Sequence, residues 1–348
     1  MMGQLEKPAD DGCTSTTDTH VLDVKDLAVE FRLRTGVVHA VAGLSYFLDK
    51  GETLAIVGES GSGKSVAAYA VLGILTTPPA FVTGGRVLLQ GRDLLAMSEN
   101  QRRRLRGNEI AMVAQNASLN PVFSVGWQIA EQFRVHRGTP RREAMQLAGE
   151  LMDRVGIPSA RQRVNDHPHQ FSGGMRQRVA IAMAMALEPA VLIADEPTTA
   201  LDVTVQAQIM ALLAEMQQQT GMGLILITHD LGLVSEAADR LVVMYAGREC
   251  ETGGVEEVFR NPGHPYTRGL MKSIPHMDRK QARLEPIGGS LADLMNVPTG
   301  CPFHPRCPFA EERCTTDSVK LQEIGPGRMS SCLRVNEIRE QLDDDRSR

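Results

Sequence analysis

An α/β fold is predicted by this sequence, a largely parallel sheet covered by helices and followed by a small Cys-rich appendage. Three observations predict it. Short continuous apolar runs, Thr53 to Val57, Val87 to Leu89, Ile110 to Ala114, Val191 to Ala194, Leu224 to Thr228 and Leu241 to Met244, have the length of buried strands. Between them lie segments of helical period, such as Ala148, Leu151, Met152 and Val155, or Ile209, Leu212, Leu213 and Met216. After about Asn261 the chain turns Pro- and Gly-rich, and four of its six cysteines fall between Cys301 and Cys332.

Hydrophobic residues are 42% of the 348 and charged residues 23%, enough apolar material for one large domain with something attached. A net charge of -5 gives no general basic field, which argues against broad nucleic-acid binding. Arg102-Arg103-Arg104 reads as a solvated helix face. Residues 1-20 are polar and lack apolar period, so a disordered tail is expected there. They also lack the apolar stretch of a signal peptide, and no segment approaches the ~18 consecutive apolar residues of a spanning helix. The expected location is therefore the cytoplasm, where clustered cysteines are read first as a metal site rather than as disulfides. Cys13 and Cys250 stand apart and are expected to be bystanders.

Gly58-Glu59-Ser60-Gly61-Ser62-Gly63-Lys64-Ser65 fits the P-loop pattern G-x-x-x-x-G-K-S/T without departure. It follows a strand-like run and precedes the helix-compatible Ser65 to Leu75, the context the motif requires. Glycines let backbone N–H groups close around phosphates, and the helix N-terminus adds partial positive charge. The predicted nucleotide-binding set is Gly58, Ser60, Gly61, Ser62, Gly63, Lys64, Ser65 and Val66. Lys64 is expected at the β- and γ-phosphates and Ser65 on Mg²⁺. Val191 to Ala194 then delivers Asp195 and Glu196 to a strand end, where ligands bind in open α/β sheets. Asp195 is expected to hold Mg²⁺ and Glu196 to polarise the attacking water.

These motifs predict a P-loop NTPase. Its class comes from Phe171-Ser172-Gly173-Gly174-Met175-Arg176-Gln177-Arg178, which resembles the signature of ABC ATPases, with Met175 where glutamine is commoner. Ser172, Gly173, Gly174 and Met175, opening a helix, make a second phosphate cradle. Gln115 matches the Q-loop glutamine, which the resemblance places on Mg²⁺ and on the membrane partner. Ala200-Leu201-Asp202 resembles the D-loop, and His229 the switch histidine that contacts the γ-phosphate. The resemblance covers about Val21 to Asn261. It implies a RecA-like core with antiparallel β and α-helical subdomains, and a dimer sandwiching two ATP molecules between each P-loop and the opposite signature. Phe31 is the candidate for stacking on adenine, with packing inside a strand as the competing role.

A finer resemblance lies in Ala194 to Gln208, the Met-containing signature and His264-Pro265-Tyr266-Thr267, which are similar to the oligopeptide/dipeptide/nickel permease branch of ABC importers. It implies a heterodimer with a sibling ATPase, two transmembrane permease subunits and an extracytoplasmic substrate-binding protein, with this chain peripheral on the cytoplasmic face of the inner membrane. Peptides are the implied cargo, with nickel or another small solute as the alternative. Between Gln115 and Pro121 the chain is about two residues shorter than the family pattern.

Cys301, Cys307, Cys314 and Cys332 are separated by five, six and seventeen residues, a poor fit to the paired spacing of zinc ribbons. They resemble the C-terminal cysteine motif of the permease branch, which implies an iron–sulfur cluster of the 4Fe-4S type. Zinc and unligated thiols remain the alternatives. The expected division is a tail at 1-20, the nucleotide-binding domain at 21-260 and the extension with its four-Cys site at 261-348. The competing class is a non-transport ABC ATPase, such as a chromosome-organising one. Gln115 and Ser172 are 57 positions apart with no heptad run between them, which opposes an inserted coiled coil. Intact Lys64, Asp195, Glu196 and His229 oppose a degenerate scaffold.

Overall fold

The structure is a computed structural model that describes residues 20-116, 119-199, 201-273 and 287-338. Residues 1-19 of the expected tail at 1-20, with Cys13, two positions of the Gln115–Pro121 segment, Ala200, and residues 274-286 and 339-348 of the expected extension lie outside the described residues.

The chain runs through β1 (Leu22–Leu33), β2 (Gly36–Leu48), β3 (Thr53–Val57), α1 (Lys64–Leu72), β4 (Ala80–Leu89), β5 (Arg92–Asp93), α2 (Glu99–Leu105) and β6 (Ile110–Val113). It continues through α3 (Val125–Arg137), α4 (Arg141–Arg154), α5 (Ala160–Arg163), α6 (Gly173–Met185), β7 (Val191–Asp195), α7 (Val203–Thr220), β8 (Gly223–Thr228) and α8 (Leu231–Ala237). The remainder is β9 (Arg240–Tyr245), β10 (Arg248–Gly254), α9 (Val255–Arg260), α10 (Pro265–Lys272), α11 (Glu312–Thr316), β11 (Gln322–Gly325) and β12 (Arg328–Ser330).

Two sheets organise these elements. The larger has the order β11-β12-β10-β9-β3-β8-β7-β6, and the five strands from β9 to the β6 edge are parallel. β3, β7 and β8 are buried at every residue, as expected for apolar runs covered on both faces. The smaller sheet, β2-β1-β4-β5, is antiparallel. It shares a core with α1 and the strands of the main sheet, through residues such as Leu22, Leu44, Val71, Ile193 and Ile227. The helices α3 and α4 pack with α6 and α7 around Ile129, Phe133, Met152, Val179 and Leu213. Parallel strands β3, β8, β7 and β6 are neighbours, so the residues that follow their C-terminal ends emerge along one edge of the sheet.

The C-terminal segment folds back onto this core. β12 extends the main sheet by pairing with β10, Glu251 opposite Ser330 and Thr252 opposite Met329. The fully buried Glu251 carboxylate accepts from the main-chain N–H groups of Gly263 and His264 and from Arg328 at 2.7, 2.9 and 3.0 Å, so its buried charge is paired and hydrogen-bonded. Tyr266 and Phe303 lie in the same core as Val57, Val243 and Tyr245. No helix among the described residues is long and apolar enough to cross a membrane.

Candidate functional site

The P-loop begins where β3 ends. Gly58, Gly61 and Gly63 take φ of 154°, 80° and 103°, conformations that side chains rarely adopt. A Cβ on Gly58 would also run into the main-chain oxygen of Met244, and one on Gly63 into that of Ala40. α1 starts at Lys64, whose ammonium donates to the carbonyls of Gly58 at 2.7 Å and Glu59 at 3.0 Å and to Ser62 Oγ at 3.4 Å. Burial lowers the Lys64 pKa, and the carboxylates of Glu196, Asp195 and Glu59 oppose that shift. These three acceptors hold the cation across the mouth of the loop, where incoming phosphate oxygens would replace them.

The facing wall comes from the ends of β6, β7 and β8. Ser65 Oγ donates to Asp195 Oδ1 at 3.0 Å. Burial pushes the Asp195 carboxyl up, and the Ser65 bond eases it back. A hydroxyl and a carboxylate side by side are hard oxygen donors of the kind Mg²⁺ takes, so these two residues fit the ion expected with ATP.

Glu196 is the hub. Gln115 Nε2 donates to its Oε2 at 2.7 Å, Thr199 Oγ1 donates to the same oxygen at 2.8 Å, and His229 Nδ1 stands 3.0 Å from Oε1. Burial alone would raise this carboxyl, but the bonds from His229 and Thr199 outweigh it and hold the group below its ordinary range. Glu196 also sits at φ 47°, a left-handed conformation that costs a non-glycine residue about 1 kcal/mol or more. Its N–H bonds the carbonyl of Ile227 at 2.8 Å, which pins the strained turn to β8. An ionised carboxylate presented at a strand end, backed by a histidine and a glutamine, can orient and polarise a water.

Sequence reasoning named Gln115, His229 and Glu196 as separate family positions, and the structure brings them together on one carboxylate. Thr199 carried a family resemblance, with Thr198, to one of two sibling ATPases, but no role at the site was expected of it. The signature lies elsewhere. Ser172 caps α6 by accepting from Met175 N–H at 3.3 Å, Gly173 packs near Leu201, and a Cβ on Gly174 would meet Val205 at 2.7 Å. No hydrogen bond or ion pair joins Ser172, Gly173, Gly174 or Met175 to the P-loop of the same chain. Asp202 caps α7 through Val205 N–H at 2.9 Å. Phe31 packs against the core shared by the two sheets, the second of the two roles expected for it.

The same fold recurs in known proteins. The ABC transporter family matches residues 41–199, and the oligopeptide/dipeptide transporter C-terminal region matches residues 250–314. A putative peptide import ATP-binding protein of Brucella melitensis is 50% identical over 331 residues, covering 91% of this chain and 98% of that protein. The chain belongs to the ABC transporter ATP-binding family. Within that family, the oligopeptide transport ATP-binding protein OppD of Bacillus subtilis is 50% identical over 295 residues, covering 84% of this chain and 82% of OppD. The ATP-binding cassette MJ0796, in a dimeric post-hydrolysis state bound to ADP and Pi, superposes with TM-score 0.61 at 24% identity, over 67% of this chain and 98% of that one. CbiO1 of Clostridium perfringens, part of the transporter complex cbiONQ, gives TM-score 0.58 at 31% identity over 70% of this chain and 92% of its own. This ABC ATPase therefore carries the cassette fold expected from its motifs.

The four C-terminal cysteines meet at one place. Cys301, Cys307, Cys314 and Cys332 line a single cavity of about 20 Å³ together with Phe303, Phe309 and Ile338. Burial pushes the thiols of Cys307 and Cys332 up to about 11 and about 12. All four are free, as is the buried Cys250. The 4Fe-4S cluster expected at these thiols, like the zinc alternative, finds no support in metal-binding geometry: among the described residues no group of three or more His, Cys, Asp or Glu side chains is placed to hold a metal ion.

Proposed function

We propose that this chain is the ATP-binding and hydrolysing subunit of a peptide importer. ATP is bound between Gly58–Val66 and the strand ends bearing Gln115, Asp195, Glu196 and His229, and hydrolysis is carried out at Glu196. The observation that carries the reading is the convergence of Gln115, Thr199 and His229 on the Glu196 carboxylate, beside the Ser65–Asp195 pair. Lys64 balances phosphate charge, Ser65 and Asp195 hold Mg²⁺, and Glu196 orients the attacking water; the work is positioning and charge stabilisation.

Ser172, Gly173, Gly174 and Met175 serve the nucleotide of the opposite subunit. Their engagement with α6 and α7 rather than with their own P-loop supports that assignment, as does the dimeric cassette among the similar structures. The opposite subunit is a sibling ATPase in a heterodimer. Two transmembrane permease subunits dock on the Gln115–Pro121 region, beside which Val122 and Phe123 are exposed, and an extracytoplasmic binding protein delivers cargo. The chain thereby sits peripherally on the cytoplasmic face of the membrane. Peptide cargo rests on the whole-length similarity to peptide import ATP-binding proteins.

Residues 21-260 form the nucleotide-binding unit and 261-348 an extension whose four cysteines hold a 4Fe-4S cluster. Convergence of the four thiols on one cavity supports this. Purification without oxygen is expected to give iron and acid-labile sulfide with this chain, lost in Cys332→Ser; stoichiometric zinc without iron contradicts it. For the transport reading, the complex reconstituted in vesicles should accumulate labelled peptide only with ATP, and accumulation of nickel but no peptide would move the cargo to the alternative class.

A further inference from the structure

Glu59 occupies a position where the P-loop pattern accepts any residue, and it is an acid beside a site that must receive polyphosphate. An unpaired carboxylate there would repel the ligand. In this structure it is not unpaired. Arg306, from the turn between Cys301 and Cys307, donates through both terminal nitrogens to Glu59, at 2.7 Å to Oε2 and 3.0 Å to Oε1. The Arg306 side chain is only 4% exposed and Glu59 26%, so the pair is largely out of water.

Both partners are held from all sides. Arg306 Nε donates to the Gly288 carbonyl at 2.9 Å, and its terminal nitrogens also reach the Ile287 carbonyl at 3.3 Å and Tyr245 Oη at 3.4 Å. All five guanidinium donors are thereby used. Glu59 N–H donates to Tyr266 Oη at 2.8 Å, and its carbonyl accepts from Lys64 at 3.0 Å. Two side chains of the C-terminal region thus fix the second residue of the P-loop through its carboxylate and its N–H.

We propose that Arg306 is a positioning residue for nucleotide binding, which neutralises Glu59 and holds the P-loop in shape from the C-terminal segment. The inference rests on the reading of Gly58–Val66 as the ATP site. The nucleotide site of this chain is accordingly incomplete without residues 287–306.

Equilibrium titration of the full-length chain with ATP and Mg²⁺ tests this, with melting temperature recorded for each variant. Arg306→Ala is expected to weaken ATP binding by about tenfold, and adding Glu59→Gln should recover it to within about threefold of the parent, because the repelling charge is gone. Arg306→Lys, which keeps the charge and loses the two-pronged geometry, should fall between, and it stands in for Arg306→Ala if that variant does not fold. In turnover the loss should appear in KM for ATP with kcat little changed. Unchanged affinity in Arg306→Ala, or in Arg306→Lys when that variant stands in for it, overturns the proposal. So does a double variant as weak as Arg306→Ala. Lys64→Ala, run alongside, separates the failures: if it binds ATP normally, the site reading itself is wrong.

Discussion

Ser65 Oγ and Asp195 Oδ1 lie 3.0 Å apart, joining the first turn of α1 to the last residue of β7. On the proposed reading, this hydroxyl and carboxylate from opposite walls hold Mg²⁺. Asp195→Asn keeps the size and the hydrogen bond but removes the charge. Hydrolysis is expected to drop about 10²-fold, with the Mg²⁺ midpoint moved upward, since the carboxylate supplies the main protein charge on the ion. Rates measured across a Mg²⁺ series check this, and an unmoved midpoint contradicts it.

Ser172 has a role in its own chain as the cap of α6 and a proposed role in the partner's site. The two separate by substitution. Ser172→Ala removes a cap and should cost about 1 kcal/mol of stability. Ser172→Arg fills the cradle, and is expected to leave ATP binding to the single chain within about twofold while cutting hydrolysis by about 10²-fold or more, because closure on the second nucleotide is blocked. Hydrolysis at the parental rate in Ser172→Arg rules out the shared-site arrangement.

Glu249 makes stability depend on pH. It is buried where β10 passes β2, accepts from Ser45 N–H, and its carboxyl is raised to about 7 by burial, lowered by the Ser45 bond and raised again by Asp26. Unfolded, it ionises near 4.5. Between these values the folded chain keeps a proton that the unfolded chain has released. Stability is therefore full below about 4.5 and falls as pH rises to about 7, by up to about 3 kcal/mol. Glu249→Gln should flatten the difference in melting temperature between pH 5 and pH 8 by about 4 °C. An equal difference in both proteins shows that Glu249 is not the source.

The parallel sheet was legible because its strands are buried on both faces and read as unbroken apolar runs. β1 was harder: a bulge between Val24 and Leu27, with Asp26 at φ 50°, shifts the buried phase from Leu22 and Val24 to Leu27 and Val29 and breaks the alternation that marks a strand. β11 and β12 are short, largely polar edge pieces with no pattern of their own, so their return to the main sheet left no trace in sequence. The motif residues of the site were readable from type and spacing. The contacts that assemble them were not, since Gln115 and Glu196 are 81 positions apart and Arg306 and Glu59 are 247 apart. The site role of Thr199 was not legible because a threonine after an acidic strand end is ordinary turn chemistry until a partner is seen.

The assignment of hydrolysis to Glu196 is tested most directly by measuring ATP binding and ATP turnover side by side in Glu196→Gln. Glutamine keeps the shape of the side chain and removes the charge that Gln115, Thr199 and His229 hold in place. Binding should stay within about threefold of the parent and turnover should fall by about 10² to 10⁴. Turnover at the parental rate in that variant would contradict the account.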